Sequence, residues 1–459
     1  MTQPPRRPDH GPTGQLSRRA ALLAASTVAA STLALGGCSW LDGLFSSDKE
    51  KLPGQRQTVI VPRRGLEAGS ITGAKVTLPP PVATPDWKLA GGVPSHEGGH
   101  PMLRDSIARA WSSSIGAGGG YRQKITAHPV IAAGRVYAMD SDGMVSGFDA
   151  ASGRNLWRTD TQGEDDRSTN VGGGIAVEGD TVFAATGRAE MLGLDAASGS
   201  IKWRQKLPAA ARSAPTVAEG RLFLATLDNQ VLGLSVADGK KLWSYQAQAP
   251  DTTVLGLPAP AYADGILVCG FGSGDVLALR AANGSVVWGE SLASARGRTS
   301  VSDLSSVRGM AVISNGRVYA IGLGRLMLAI DLRSGRRLWE REVGSTETPW
   351  LAGDWLFIMS SEAQLAAISA ADGSVAWVHE FDRYENEQKQ RDPITWIGPV
   401  LAGDRLVVGN SMGGAVSVSP YTGSVLSTQK LSGPLSLAPV VADATLYVVT
   451  DDGTLTAFR

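Results

Sequence analysis

The sequence predicts an all-β fold: an eight-bladed β-propeller of four-stranded antiparallel blades, its ring closed by an N-terminal strand. Three observations predict it. First, from about residue 125 onwards one unit recurs, made of short alternating apolar runs separated by Gly-containing turns. This is the pattern of a four-stranded meander. Second, the unit ends on a Gly followed four residues later by a Trp: Gly153 and Trp157, Gly199 and Trp203, Gly239 and Trp243, Gly284 and Trp288, Gly335 and Trp339, Gly373 and Trp377. Gly423 and Ser427 keep the spacing and lose the Trp. Successive Gly lie 38 to 51 residues apart, the period of a propeller blade. Third, 56 Gly and 12 Trp with only 19% charged residues fit many short strands on tight turns rather than long solvated helices.

The first unit sets the pattern. It runs from Pro129 to Asp140, on from Ser141 to Asp149, and then from Ala150 to Trp157, in short alternating runs separated by Gly-containing turns. Asp142-Gly143 supplies a turn that tolerates positive φ, and Asp149 to Gly153 reverses the chain again. Apolar first strands then begin near Ile125, Val171, Pro215, Leu257, Met310, Trp350, Trp396 and Leu437, which makes eight sets of inner strands. The last set ends at Phe458-Arg459 without a fourth strand or a Trp. The segment Trp111–Gly116 has the character of that missing strand, and Trp111 precedes Trp157 by one blade length. It is expected to complete the last blade and remove the open edges. Trp87, within Asp86-Trp87-Lys88-Leu89, competes for the role. The seam between neighbouring blades is the expected seat of each repeated Trp, with packing inside its own sheet as the alternative.

Ahead of the repeats the chain reads as an address. Residues 1–37 hold Arg18-Arg19 and an Ala-rich apolar run from Ala20 to Leu35, then Leu35-Gly36-Gly37-Cys38. This is the pattern of a lipoprotein signal peptide, with Cys38 as the lipidated residue. An ordinary signal with a coincidental Cys is the alternative. Ser17-Arg18-Arg19-Ala20-Ala21-Leu22 fits a twin-arginine signal and a general secretory signal equally. Residues 38–84 are rich in Ser, Pro, Lys and Gly and read as a flexible tether. Residues 85–459 are left for the propeller.

Composition narrows the chemistry. Residues 1–37 contain four Arg and one Asp, so the remainder carries 39 basic against 42 acidic side chains. No basic footprint for a nucleic acid exists. The second cysteine, Cys269, lies in the apolar run Ile266–Cys269 and reads as a buried thiol. His96-Glu97-Gly98-Gly99-His100 matches a zinc-protease motif in letters. That chemistry needs both His on one helical turn, and the two Gly, with Pro94 and Pro101 outside them, argue against a helix. Asp140, Asp149, Asp195, Asp331 and Asp451 recur at turns and read as turn caps. Gly116–Gly120 lacks the Lys-Ser/Thr ending of a phosphate loop. The mixed-charge insertion 382–392 reads as a solvated loop available to a partner. Catalytic, cofactor and metal residues are therefore expected to be absent.

The unit Gly134-Arg135-Val136-Tyr137-Ala138-Met139-Asp140, continued by Asp149-Ala150-Ala151-Ser152-Gly153 and Trp157, resembles the repeat of pyrroloquinoline-quinone propellers. That group holds quinoprotein dehydrogenases and non-enzymatic relatives. With the lipobox, the tether and eight units, residues 105–459 are similar to the BamB family. Its members are lipoprotein subunits of the machine (the BAM complex) that inserts β-barrels into the bacterial outer membrane. The resemblance implies a non-catalytic scaffold, a monomer within a complex, that binds the periplasmic domains of BamA beside other BAM subunits. By the sorting pattern of such lipoproteins, Ser39 after Cys38 implies the outer membrane, facing the periplasm. The family's Leu-x-Leu-Arg partner loop falls on Leu255 and Leu257, with Pro258 where the Arg stands. A blade's first strand explains the same two Leu. A second, Asp-rich family loop falls near 302–308 and carries over to Asp303 and Arg308, although this stretch departs from the Asp-rich pattern. A periplasmic quinone-dependent dehydrogenase is the alternative, but that family's vicinal Cys pair and long inter-blade insertions are missing. A propeller for cell-envelope polysaccharide or for sensing stays open.

Overall fold

Eight blades follow one another around a central axis, each with its first strand innermost. The computed structural model describes residues 63–67, 75–120, 123–163, 170, 172–248, 256–292 and 306–459. The export signal, Cys38, Leu255 and Asp303 lie outside the described residues. Seven four-stranded antiparallel sheets span 130–159, 173–206, 216–246, 261–291, 312–342, 350–380 and 396–430. The eighth combines Val440–Ala442, Thr445–Val449 and Thr454–Phe458 with Arg109–Ser114 as its outer strand. No helix occurs among the described residues.

Closure follows the expectation for Trp111. Arg109 pairs with Phe458, Trp111 with Ala457 and Ser114 with Thr454. Ala108 and Arg459 exchange main-chain hydrogen bonds of 2.8 and 2.9 Å. The first and last parts of the propeller thus share one sheet, so no blade lacks a partner strand.

Each repeated Trp packs both within its own sheet and across the seam. Trp157 stands opposite Gly147 on the third strand of its own blade. A Cβ on Gly147 would lie 2.6 Å from the indole. The other face of the ring meets Gly199 in the last turn of the next blade, where a Cβ would lie 2.4 Å away. The indole N–H donates to Ala196 O of that turn at 3.2 Å. Trp111, Trp243, Trp288, Trp339 and Trp377 repeat the bond to Ala150, Ala281, Leu332, Ala370 and Pro420. This explains why Ser427 breaks the pattern. In the blade after Ser427 the third strand is Thr454–Phe458. Its fourth strand arrives from Arg109–Ser114, so no turn exists there for a Trp to cover.

Trp87 has a different task. Residues 82–103 cross the end of the channel and bond to the innermost strands or the turns that follow them. Trp87 and Ile131 exchange two main-chain hydrogen bonds of 2.7 and 2.8 Å. Val177, Tyr262, Ile313, Gly403 and Asp443 donate their N–H groups to Lys88, Pro94, Ser95, Pro101 and Thr84, and Gly99 donates to Leu351. Seven blades are held in this way, and Leu89 packs with Val217 and Leu222 of the remaining one. We call this segment the plug. The structure also differs from the expected extent of the tether. Val76 is buried, and Val82 and Pro101 form a β-bridge. Arg63–Arg64 adds a parallel strand to the outer edge of the fifth blade, beside Arg341–Glu342. Leu66 joins the apolar cluster of Trp339 and Val343. Composition alone misses this because scattered apolar residues dock one at a time on a preformed surface.

Candidate functional site

The loops leading into the first strands of all eight blades ring a funnel of about 450 Å³, with the plug as its floor. Such a volume suits a small-ligand or side-chain site, for which roughly 300–1,000 Å³ is typical. Trp87 and Trp350 lie parallel in the floor, ring centroids 6.0 Å apart and 10° between planes. Gly98 is required there: a Cβ would come within 2.3 Å of the Trp350 ring, whose N–H donates to Gly99 O at 2.9 Å.

That packing accounts for the zinc-like letters of the sequence. Residues 96–100 are not helical. His96 Nδ1 lies 2.9 Å from Ala311 O. His100 sits between Pro79 O, 2.6 Å from Nδ1, and Gly403 O, 2.7 Å from Nε2. Both rings thus clamp the plug to its surroundings. Burial pushes the His96 pKa down to about 4 against the opposing contact with Ala311 O, and desolvation pushes His128 down to about 4. Both rings are neutral at ordinary pH.

The titratable side chains lining the funnel are Lys124, Arg212, Arg308, Glu347 and these two His. Desolvation raises the Glu347 pKa, opposed by the Gly398 N–H at 3.0 Å, by Thr346 and by the charge of Arg308. Burial lowers that of Arg212. The Arg212 Nε and Nη1 atoms are buried and have no hydrogen-bond partner.

Of the expected partner residues, the structure brings Leu257 and Arg308 to one sector of this rim. The Leu257 N–H donates to Arg212 O at 2.9 Å. Arg308 Nη2 lies 3.9 Å from where a Cβ on Gly256 would be. Leu257 is half-buried and Arg308 exposed. Sequence reasoning missed Arg212, Glu347 and Trp350. Arg212 left one signal, a lone cation after Pro208-Ala209-Ala210-Ala211. Asp140, Asp149, Asp195 and Asp331 cap their turns as expected, accepting from Met144, Ser152, Ser198 and Ser334, but at the last turn Asp452 accepts the Thr454 N–H while Asp451 accepts from Ser436 instead.

A family model described as outer membrane protein assembly factor BamB matches residues 141–379 and 383–459. The chain belongs to the BamB family. An outer membrane protein assembly factor BamB from Salmonella typhimurium is 31% identical over 356 residues, covering 76% of this chain and 87% of that protein. The crystal structure of BamB from Moraxella catarrhalis superposes with a TM-score of 0.65 at 20% identity, covering 77% of this chain and all of that one. A quinohemoprotein alcohol dehydrogenase from Comamonas testosteroni gives a TM-score of 0.64 at 14% identity over 82% of this chain and 81% of its own. The last two show the fold alone.

The shared fold raises the question of a quinone with its divalent cation. A hard cation of that kind takes six to eight oxygen ligands. Among the described residues this funnel offers one carboxylate, Glu347, and no group of three His, Cys, Asp or Glu is placed to hold a metal. Cys269 is buried in the apolar core, its thiol pKa pushed up to about 12 by burial. The donor set does not fit.

Proposed function

We propose that this BamB-family chain is a non-catalytic binding subunit of the outer-membrane β-barrel assembly machinery. It is tethered through a lipid on Cys38, faces the periplasm, and binds the periplasmic domains of BamA. The family match across the repeats carries this reading. The rim sector of Leu257 and Arg308 supports it further, because two residues assigned to separate loops by resemblance lie together. Arg is among the residues enriched at protein-interface hot spots, and the half-buried Leu257 beside it adds apolar surface. Leu255 and Asp303 complete the proposed contact.

The test is a pull-down in mild detergent with the tagged, lipidated chain, followed by mass spectrometry. Wild type is expected to recover BamA, and Leu255→Glu/Leu257→Glu and Arg308→Glu to lose it while melting at the wild-type temperature. Failure of wild type to recover any BAM subunit would overturn the reading. Acquisition of quinone absorbance and dye-linked dehydrogenase activity by the purified chain would replace it with the enzymatic one.

A further inference from the structure

We infer that the central funnel is a carboxylate-binding site built on Arg212 and Arg308, with the acidic side chain of an extended polypeptide as its ligand. The charge balance of the lining carries the inference. Among the described residues of the lining, three cationic side chains, Lys124, Arg212 and Arg308, accompany one carboxyl, Glu347, and two imidazoles. The funnel therefore has a surplus of positive charge inside largely apolar walls.

Position sharpens this. Both arginines line the funnel: the Arg212 carbonyl accepts the Leu257 N–H while its side chain lies beside Gly172, and Arg308 reaches beside Gly256. The Arg212 Nε and Nη1 atoms, buried without a partner, are costly groups that an acceptor would satisfy. A guanidinium fork matches a carboxylate with two parallel hydrogen bonds. A monoanion is favoured over a phosphate because the apolar walls penalise a second charge on the ligand. Ile125, Leu257, Met310 and the Trp87–Trp350 pair would cover the apolar neighbours of the acidic residue.

The inference shares Leu257 and Arg308 with the proposed BamA contact, but its test needs no partner, so the two readings fail separately. The full chain in mild detergent is titrated calorimetrically with acetyl-Ala-Leu-Glu-Leu-Ala-amide, with its Gln counterpart, and with hexanoate. The Glu peptide is expected to bind at least about tenfold more tightly than the Gln peptide, a difference set by the charge-assisted bonds. Arg212→Gln is expected to lose about the same factor, and Arg212→Lys to recover part of it. Arg308→Gln weakens binding less, because that side chain is exposed. Binding of hexanoate with the same Arg212 dependence, and of no peptide, would keep the carboxylate site and assign it to free acids. Equal binding of the Glu and Gln peptides would overturn the inference. So would an Arg212→Gln chain that melts like wild type and binds like it.

Discussion

At Gly199 the backbone has φ +76°, and the Trp157 ring lies where a side chain would go. At Gly134 φ is +73°, with nothing within 4 Å of where a Cβ would stand. The two positions separate conformational strain from steric overlap. Gly134→Ala carries only the left-handed penalty, about 1–2 kcal/mol. Gly199→Ala adds overlap with an indole pinned between two blades, a further ~1–3 kcal/mol. Urea melts of the two variants should differ in midpoint in that order. Equal midpoints would show that the Trp ring moves aside and is not a fixed wedge. The same logic explains the small residue facing each seam Trp: Gly147, Gly193, Gly233, Ala278, Ala329, Ala367 and Ala457.

Among elements, Arg109–Ser114 matters most, because its partner strand lies at the other end of the sequence. Deleting residues 106–118 exposes the edge of Thr454–Phe458 and removes Trp111, whose loss alone costs about 3–5 kcal/mol at a buried aromatic site. Thermal melting should fall sharply. Replacing the exposed hairpin 384–393 by a Gly-Ser turn should leave it nearly unchanged, since Tyr384–Asn386 pairs only with Arg391–Pro393. A deletion of 106–118 that melts like wild type would mean that the ring holds without closure. The strand was legible in the sequence from a Trp one blade length ahead of its repeat, whereas the mixed charge of 382–392 marked only a solvated loop and not its hairpin pairing. Residues 63–67 and 75–103 were less so. They have no period, and each apolar residue docks on a different blade, so neither alternation nor composition marks them. For the funnel, the resemblance pointed to Leu257 and Arg308. Arg212, Glu347 and Trp350 come together from separate parts of the chain that no local pattern connects.

For the molecule as a whole, the ring and the plug stabilise one another through bonds of long sequence separation. Sheets in a propeller touch mainly their neighbours, so blades could open singly or in pairs. The plug opposes this by reaching seven of them with main-chain hydrogen bonds. Six of those bonds use donors on the blades: the N–H groups of Ile131, Val177, Tyr262, Ile313, Gly403 and Asp443. A chain beginning at residue 104 keeps the closing strand and the eight blades but loses every acceptor for these amides. Hydrogen exchange should then accelerate at these six sites around the whole ring. Amides bonded within a blade, such as that of Phe223 opposite Gly233, should slow or quicken only with global stability. Acceleration confined to Gly403, which lies beside Leu103 at the cut, would mean that the plug acts locally. Acceleration at all six, with the in-blade amides still protected, would establish it as the part that couples the blades into one cooperative body.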